Sequence, residues 1–214
     1  MYSWLLLVSL TLSAEPLEDG TLLFLENCSS VVQRATHGSV GHVAIVMNEG
    51  NETWVYEAIP GNVRRLKADD YYAELSRLNA RKNEEQQIRT FALRPEKPYR
   101  DNERQAMRHY LDEQVGRRYS VKGYVRGKES VGVHCAELAS HTLNESGRYQ
   151  WEQCHSISPS KLQELVDPSY KAPTMVELPA FEVEETWCQR TQRRWDSFRT
   201  WCSWGCGEAW SFCR

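Results

Sequence analysis

A predicted β-hairpin is the feature that most constrains the fold of this chain. Residues 41–47 (Gly-His-Val-Ala-Ile-Val-Met) are apolar and β-branched, and residues 53–60 form a second such run that ends in proline. The turn-rich tetrapeptide 48–51 (Asn-Glu-Gly-Asn) separates the two runs. This pattern predicts two antiparallel strands joined by a four-residue loop. Such a loop pairs Met47 with Glu52 and, further along the strands, His42 with Glu57.

The alternation of the hairpin places two kinds of side chain on opposite faces. In the predicted register His42 lies directly opposite Glu57, so an imidazole and a carboxylate share one face. A register shift of two residues keeps them on the same face, whereas a shift of one separates them. The other face is expected to form a core layer of four apolar side chains, Val43, Ile45, Trp54 and Tyr56.

A cysteine begins the strongest predicted helix. Cys135 follows a loop that contains Gly127 and Gly132, and it opens the helix-forming run 135–145. A thiol on the first helical turn faces unpaired backbone N–H groups and the positive end of the helix dipole, and both favour the thiolate. The backbone N–H of Cys135 can also stabilise an oxyanion during acyl transfer, and a second donor is not identified. The alternative is a small buried cysteine that packs the helix start.

Cys135, His42 and Glu57 have the residue types of a nucleophile, a base and an orienting acid. A carboxylate that accepts one ring N–H of a histidine fixes its tautomer and leaves the other nitrogen for the nucleophile. The alternatives are a histidine bonded to backbone and a solvated carboxylate. Tyr119 and Tyr124 precede the nucleophile loop and are weaker candidates for substrate binding or oxyanion donation, with aromatic core packing as the alternative. The other histidines are expected to be structural or solvated: His37, His109, His134, His141 and His155.

An ordered set of segments resembles a known family. The segments are 20–24 (Gly-Thr-Leu-Leu-Phe), 30–36, 42–46, 55–58 and 134–138 (His-Cys-Ala-Glu-Leu). Together they resemble the circularly permuted papain-like amidases of the NlpC type, the YiiX/YebB-like proteins, roughly from Leu17 to Val166. In that family the histidine strand precedes the cysteine helix, which reverses the order of ordinary papain-like enzymes.

This resemblance implies a Cys-His-Glu triad at Cys135, His42 and Glu57. It also implies thiol hydrolase chemistry on an amide or acyl bond, through a thioester and without a cofactor or catalytic metal. A related branch transfers acyl groups to and from lipids, so an acyltransferase acting on lipid or N-acyl substrates is the nearest alternative. The expected partner is a small-molecule, peptide or lipid-like acyl or amide substrate. The formal net charge of −3 does not indicate a protein that binds nucleic acid.

The predicted fold class is α+β. We expect a permuted papain-like (NlpC-type) domain at residues 15–180, with a small antiparallel sheet packed against helices. Strands are predicted at 22–25, 63–66 and 87–93 besides the hairpin, and helices at 69–78, 101–115, 135–145 and 159–166. A helix or turn is predicted at 29–36. Residues 1–14 form a predicted signal peptide, and residues 181–214 form a Cys/Trp-rich tail, expected to be stapled by disulfides.

The ends of the chain are typical of an exported protein, secreted or periplasmic. A short apolar run at 4–12 is followed by Ser13, Ala14 and the helix-breaking Pro16. The run is too short to span a membrane, and the alternative is a buried N-terminal segment. If Cys135 stays free, the other six of the seven cysteines allow three disulfides, and the sequence does not choose among their 15 connectivities. One of these pairs Cys28 with Cys154 and the tail cysteines among themselves. A zinc site is the alternative for the tail cysteines, Cys188, Cys202, Cys206 and Cys213.

The tail also carries tryptophans and arginines. Its aromatic side chains can stack on sugar rings, enter a membrane interface or pack a small disulfide-stapled lobe. Contact with a cell wall or a membrane surface is therefore open. A binding module that keeps the fold without catalysis is the alternative from another functional class. The tryptophans are Trp187, Trp195, Trp201, Trp204 and Trp210.

Overall fold

A six-stranded antiparallel sheet forms the centre of the structure. The computed structural model describes residues 17–28 and 38–181 of the 214-residue chain. The strand order is β4-β3-β2-β1-β5-β6, and every neighbouring pair is antiparallel. The α+β prediction is therefore confirmed. The strands are β1 (Leu22–Glu26), β2 (Val40–Glu49), β3 (Glu52–Ala58), β4 (Val63–Lys67), β5 (Arg89–Leu93) and β6 (Thr174–Met175).

Helices pack on both faces of this sheet. In the described part of the chain they are α1 (Ala68–Asn79), α2 (Asp101–Gln114), α3 (Lys122–Arg126), α4 (Cys135–Glu145) and α5 (Pro159–Val166). Three short 3-10 turns accompany them, at Glu84–Gln86, Cys154–Ser156 and Asp167–Ser169.

The sheet separates two apolar cores. Helices α2, α4 and α5 cover one face, and α1 covers the other. The first core contains the predicted layer: Val43, Ile45 and Tyr56 are buried, and Trp54 packs against them. The second core contains Ala44, Val46 and Val55 from the same two strands, together with apolar residues of α1. The alternation of the hairpin is thus confirmed on both faces.

The loop of the β2–β3 hairpin is shorter than predicted. Glu49 pairs with Glu52, so the loop contains two residues, Gly50 and Asn51, rather than four. Gly50 has a φ of 59°, a left-handed conformation that glycine adopts without strain and that two-residue hairpin turns require. The two strands therefore extend further into the turn than the apolar pattern indicates.

The shorter loop changes the register of the hairpin. Ile45 pairs with Tyr56, which is a shift of two residues from the predicted pairing. The prediction that His42 lies directly opposite Glu57 is therefore wrong. Because side chains alternate with a period of two, the even shift leaves both residues on the same face.

The bounds of the other predicted elements agree with the structure within two residues. The start of α5 is a clear case: the Ser158 hydroxyl accepts from the Lys161 backbone N–H at 3.1 Å, and Pro159 occupies the first helical position. The short helix α3 and the two-residue strand β6 were not predicted. Both are too short to show a periodic pattern in the sequence.

Four predictions lie outside the described residues. They are the signal peptide at 1–14, the helix or turn at 29–36, the structural or solvated place of His37, and the tail beyond residue 181, including its cysteine pairing, its zinc alternative and its tryptophans. Within residues 17–28 and 38–181, no helix has both the length and the apolar composition needed to cross a membrane.

The three described cysteines are free thiols: Cys28, Cys135 and Cys154. The predicted Cys28–Cys154 disulfide is therefore wrong, and so is the count of three disulfides. The Cys28 thiol donates to the Leu25 carbonyl at 3.4 Å, and the Cys154 thiol donates to the Trp151 carbonyl at 3.3 Å. Cys28 packs against the core under α1, whereas Cys154 lies beside α4 on the other side of the sheet.

Candidate active site

The start of α4 holds the candidate nucleophile. Cys135 is the first residue of this helix and is 4% exposed. His134 caps the helix: its ring nitrogen accepts from the Glu137 backbone N–H at 3.4 Å, and the Glu137 carboxylate accepts from the His134 N–H at 3.3 Å. The other ring nitrogen of His134 donates to the His155 carbonyl at 3.0 Å. These contacts fix the helix start on which the thiol is carried.

The capping role of His134 was missed by sequence reasoning, which assigned this residue only a structural or solvated place. The available signal is the spacing His134-x-x-Glu137, which has the form of a capping box with histidine in place of serine or threonine.

His42 and Glu57 are joined by a short hydrogen bond. His42 Nε2 donates to Glu57 Oε2 at 2.6 Å, and the two side chains are 14% and 3% exposed. This contact leaves Nδ1 as the ring nitrogen available to Cys135. His42 interacts with the Cys135 thiol through charge and a hydrogen bond. A bulge in β2 lies directly before His42, because Leu25 pairs with His42 but the next residue of β1 pairs with Val40. Bulges of this kind redirect side chains at functional sites.

The three groups shift one another toward the charged state. Burial opposes ionisation of Cys135, but the charge of His42, with side-chain contacts to His134 and His42, lowers the pKa of the thiol to about 5. Burial also opposes protonation of His42, yet Cys135 and Glu57 raise its pKa well above the ordinary value. Despite burial, His42 and Arg64 lower the pKa of Glu57. These directions favour a thiolate–imidazolium pair beside an ionised carboxylate.

The pKa values of the other two described thiols shift in the opposite direction. Burial raises the pKa of Cys154 to about 11, and burial also raises the pKa of Cys28. Since the thiolate is the nucleophilic form, Cys135 is the candidate nucleophile among the three described cysteines.

Arg64 completes the surroundings of Glu57, and sequence reasoning missed it. It pairs with Glu57 across β3 and β4, and its guanidinium donates to Glu57 Oε1 with nitrogen–oxygen distances of 2.7 and 2.6 Å. The signal was the dipeptide Pro60-Gly61 between two β-branched runs, which predicts a second hairpin. A short turn at that position brings residues 57 and 64 opposite each other.

The two candidate tyrosines lie in the chain segment that leads to Cys135. The half-buried Tyr124 ring meets the His134 ring edge to face, with centroids 5.9 Å apart. Tyr119 is also half-buried, and its backbone forms a bridge to Val133. Tyr119 also lines an open groove with four cationic side chains and one carboxylate: Arg118, Lys122, Arg126, Lys128 and Glu129. Such a groove attracts an anionic group of a ligand.

The remaining described histidines lie away from this arrangement. His109 is exposed and lies 3.3 Å from the Glu113 carboxylate one helical turn away. Burial lowers the pKa of His141, whose ring faces Tyr110 at 6.0 Å. Among the residues that the structure describes, no three His, Cys, Asp or Glu side chains are grouped so that they could hold a metal ion.

Comparison with known proteins gives a similarity of fold. No protein-family model and no curated protein matches this chain. The crystal structure described as metalloprotein YiiX from Escherichia coli O157:H7 superposes with a TM-score of 0.50. The match covers 77% of this chain and 99% of YiiX at 14% sequence identity. An identity this low shows similarity of fold alone, and we conclude that the chain has a YiiX-like α+β fold.

Proposed function

We propose that this protein is a thiol hydrolase that cleaves an amide or acyl bond through Cys135, His42 and Glu57. We further propose that its YiiX-like fold is a circularly permuted papain-like fold, in which the histidine strand precedes the cysteine helix. The observation that carries the proposal is the 2.6 Å contact between His42 and the buried Glu57 carboxylate. This histidine interacts with Cys135 at the start of α4, and Cys135 is the described thiol whose pKa is lowered.

The chemistry follows from these roles. The Cys135 thiolate attacks the acyl carbon, and the carbonyl electron pair moves to oxygen to form a tetrahedral intermediate. The backbone N–H of Cys135 is a candidate donor to that oxyanion. The bond to the leaving group breaks as His42 transfers its proton to that group, and a thioester remains. His42 then removes a proton from water, and the hydroxide attacks the thioester to release the acid and the thiol. Glu57 stabilises the imidazolium before the leaving group is protonated and again after His42 has taken the proton from water.

Intact-mass analysis tests this proposal. The protein is incubated with p-nitrophenyl acetate, a neutral activated ester, and with an anionic ester that carries the same reactive group. One acyl mass is expected on wild-type protein, and peptide mapping should find it on Cys135. The anionic ester probes the cationic groove lined by Tyr119. Cys135→Ala should abolish the adduct.

Two other buried or half-buried thiols provide matched controls. Cys28→Ala and Cys154→Ala should retain the adduct, because burial keeps both thiols protonated. Release of the free acid supports a hydrolase, whereas transfer to an added amine or alcohol in preference to water supports an acyltransferase. A folded wild-type protein that acquires no acyl mass from either ester would refute the enzyme proposal and favour a binding module.

A further inference from the structure

Arg64 holds the side of Glu57 that His42 does not use. The Glu57 carboxylate is 3% exposed, and His42 occupies its Oε2 oxygen. Arg64 Nε donates to Oε1 at 2.7 Å, and a terminal guanidinium nitrogen lies 2.6 Å from the same oxygen. Both oxygens of the buried carboxylate are thus engaged by cationic or potentially cationic groups.

Arg64 is itself held by a residue of α1. A terminal nitrogen of its guanidinium lies 3.0 Å from each carboxylate oxygen of Glu74. Charges therefore alternate from the surface to the thiol: Glu74, Arg64, Glu57, His42 and Cys135. The Glu74 side chain is 41% exposed and the Arg64 side chain 31%, so the series runs from solvent into the protein.

We infer that Arg64 is a positioning residue that keeps Glu57 ionised and aimed at His42, and that Glu74 anchors Arg64 from α1. This inference rests on the proposed function. A carboxylate buried without a cationic partner protonates more readily, because burial penalises its charged form. Once protonated, Glu57 no longer stabilises the imidazolium that supports the Cys135 thiolate.

The guanidinium fork suits this role better than an ammonium group does. One planar group places two nitrogens at Glu57 while it also reaches Glu74. A lysine is a point charge on a flexible stem, so it can restore the charge but not the two-sided geometry. Arg64→Lys is therefore expected to recover only part of what Arg64→Met removes.

The test measures the rate of Cys135 alkylation by iodoacetamide as a function of pH. In Arg64→Met the pH midpoint of Cys135 alkylation should rise by about 0.5–1 unit. Without the positive charge of Arg64, Glu57 protonates more readily and supports the His42 imidazolium less. The acylation rate near neutral pH should fall by about 10- to 100-fold through misplacement of His42. Glu74→Gln should produce a smaller shift in the same direction.

Other titratable groups lie near Glu57 and Cys135. Burial opposes protonation of His134, but contact with Cys135 raises its pKa, and this contact is the same in wild type and in every Arg64, Glu74 and Arg65 variant. The Tyr71 hydroxyl on α1 interacts with Glu57, and the Cys28 thiol after β1 interacts with His42 and Cys135; burial raises the pKa of each. Both stay neutral across the acidic range in which the thiolate forms. Lys82, which interacts with Cys28, has a pKa lowered by burial, and it is unchanged in every variant compared.

The neighbouring arginine is a matched control. Arg65 points to the other face of β4, pairs with Glu49 and stacks over the Trp54 ring at 4.0 Å. Arg65→Met removes an equal charge next in sequence and should leave the pH midpoint unchanged.

An unchanged midpoint in folded Arg64→Met, or an equal shift in Arg65→Met, would overturn the inference. If Arg64→Met does not fold, the same comparison is made with Arg64→Lys and Glu74→Gln. Absence of acyl transfer in wild type would refute the proposed function, whereas the alkylation profile would still report whether Arg64 acts on the Glu57–His42–Cys135 series.

Discussion

His42 and Glu57 are hydrogen-bonded at 2.6 Å although they do not face each other in the β2–β3 ladder. Paired residues end at Ile45 and Tyr56, and the same register continued would place Glu57 opposite Ala44. Glu57 is thus a diagonal neighbour of His42 on one face, a separation that long side chains can bridge. The catalytic proposal depends on this diagonal contact and not on direct strand pairing.

Alkylation of Cys135 should begin at low pH. Its folded-state pKa is lowered to about 5, so the thiolate forms as the pH rises through that value rather than through the ordinary value of about 8.5. The iodoacetamide rate, followed by peptide mapping from pH 4 to 9, is expected to reach a plateau below neutrality. Cys154, with a pKa raised to about 11, is the internal control. A Cys135 profile with the ordinary thiol midpoint would contradict the ion pair.

Acyl-enzyme turnover should follow a bell-shaped pH profile. The acidic limb follows ionisation of Cys135, and the alkaline limb follows loss of the His42 proton at its raised pKa. His42→Ala should remove the alkaline limb and lower turnover, while alkylation of Cys135 shifts to higher pH. Steady-state rates and alkylation rates measured on the same samples separate the two effects. Wild-type turnover in folded His42→Ala would refute the triad.

Glu57→Gln should lower turnover strongly while the protein stays folded. The amide keeps the volume of the side chain but removes the negative charge that supports the His42 imidazolium, and we expect a loss of about 10²–10⁴-fold in kcat. Circular dichroism and thermal unfolding provide the folding control. Glu52→Gln, at the exposed end of β3 where Glu52 pairs with Lys67, should leave turnover unchanged.

Loss of the helix cap at His134 should lower the free energy of unfolding. His134→Ala removes the acceptor for the Glu137 N–H and the contact with the His155 carbonyl, with an expected cost of about 1 kcal/mol. Thermal unfolding should shift by about 2–4 °C per kcal/mol for a domain of this size. His134→Asn, a good capping residue, should recover most of the loss. Equal melting temperatures for wild type and His134→Ala would contradict the capping role.

Gly132 should be intolerant of a side chain. A Cβ at this position would overlap the Cβ of Ser120 and lie 2.9 Å from the Arg118 carbonyl oxygen. Gly132→Ala should therefore destabilise the loop before Cys135 by about 1–3 kcal/mol. Val131→Ala is the adjacent control, because Val131 is 91% exposed. Chemical denaturation of both variants gives the comparison, and equal stability would show that the two chain segments are not in close contact.

Local sequence patterns determined the elements that carry the candidate site. The helix at 135–145 was predicted with the bounds that the structure has, because glycine-containing loops and helix propensity act within a few positions. The same holds for Ser158 and Pro159 at the start of α5. The shared face of His42 and Glu57 also followed from the sequence, since a period of two survives an even register shift.

Tertiary structure alone decided which distant groups meet. The two-residue loop set the register of β2 against β3, and the bulge before His42 interrupted the regular alternation of β2 at the candidate site. The sheet lies between Cys28 and Cys154, so their pairing could not be judged from cysteine counting. Arg64 reaches both Glu57 and Glu74 only because β4 and α1 adjoin β3. Contacts of this kind depend on register, twist and packing summed over the whole sheet, and short-range periodicity does not encode those quantities.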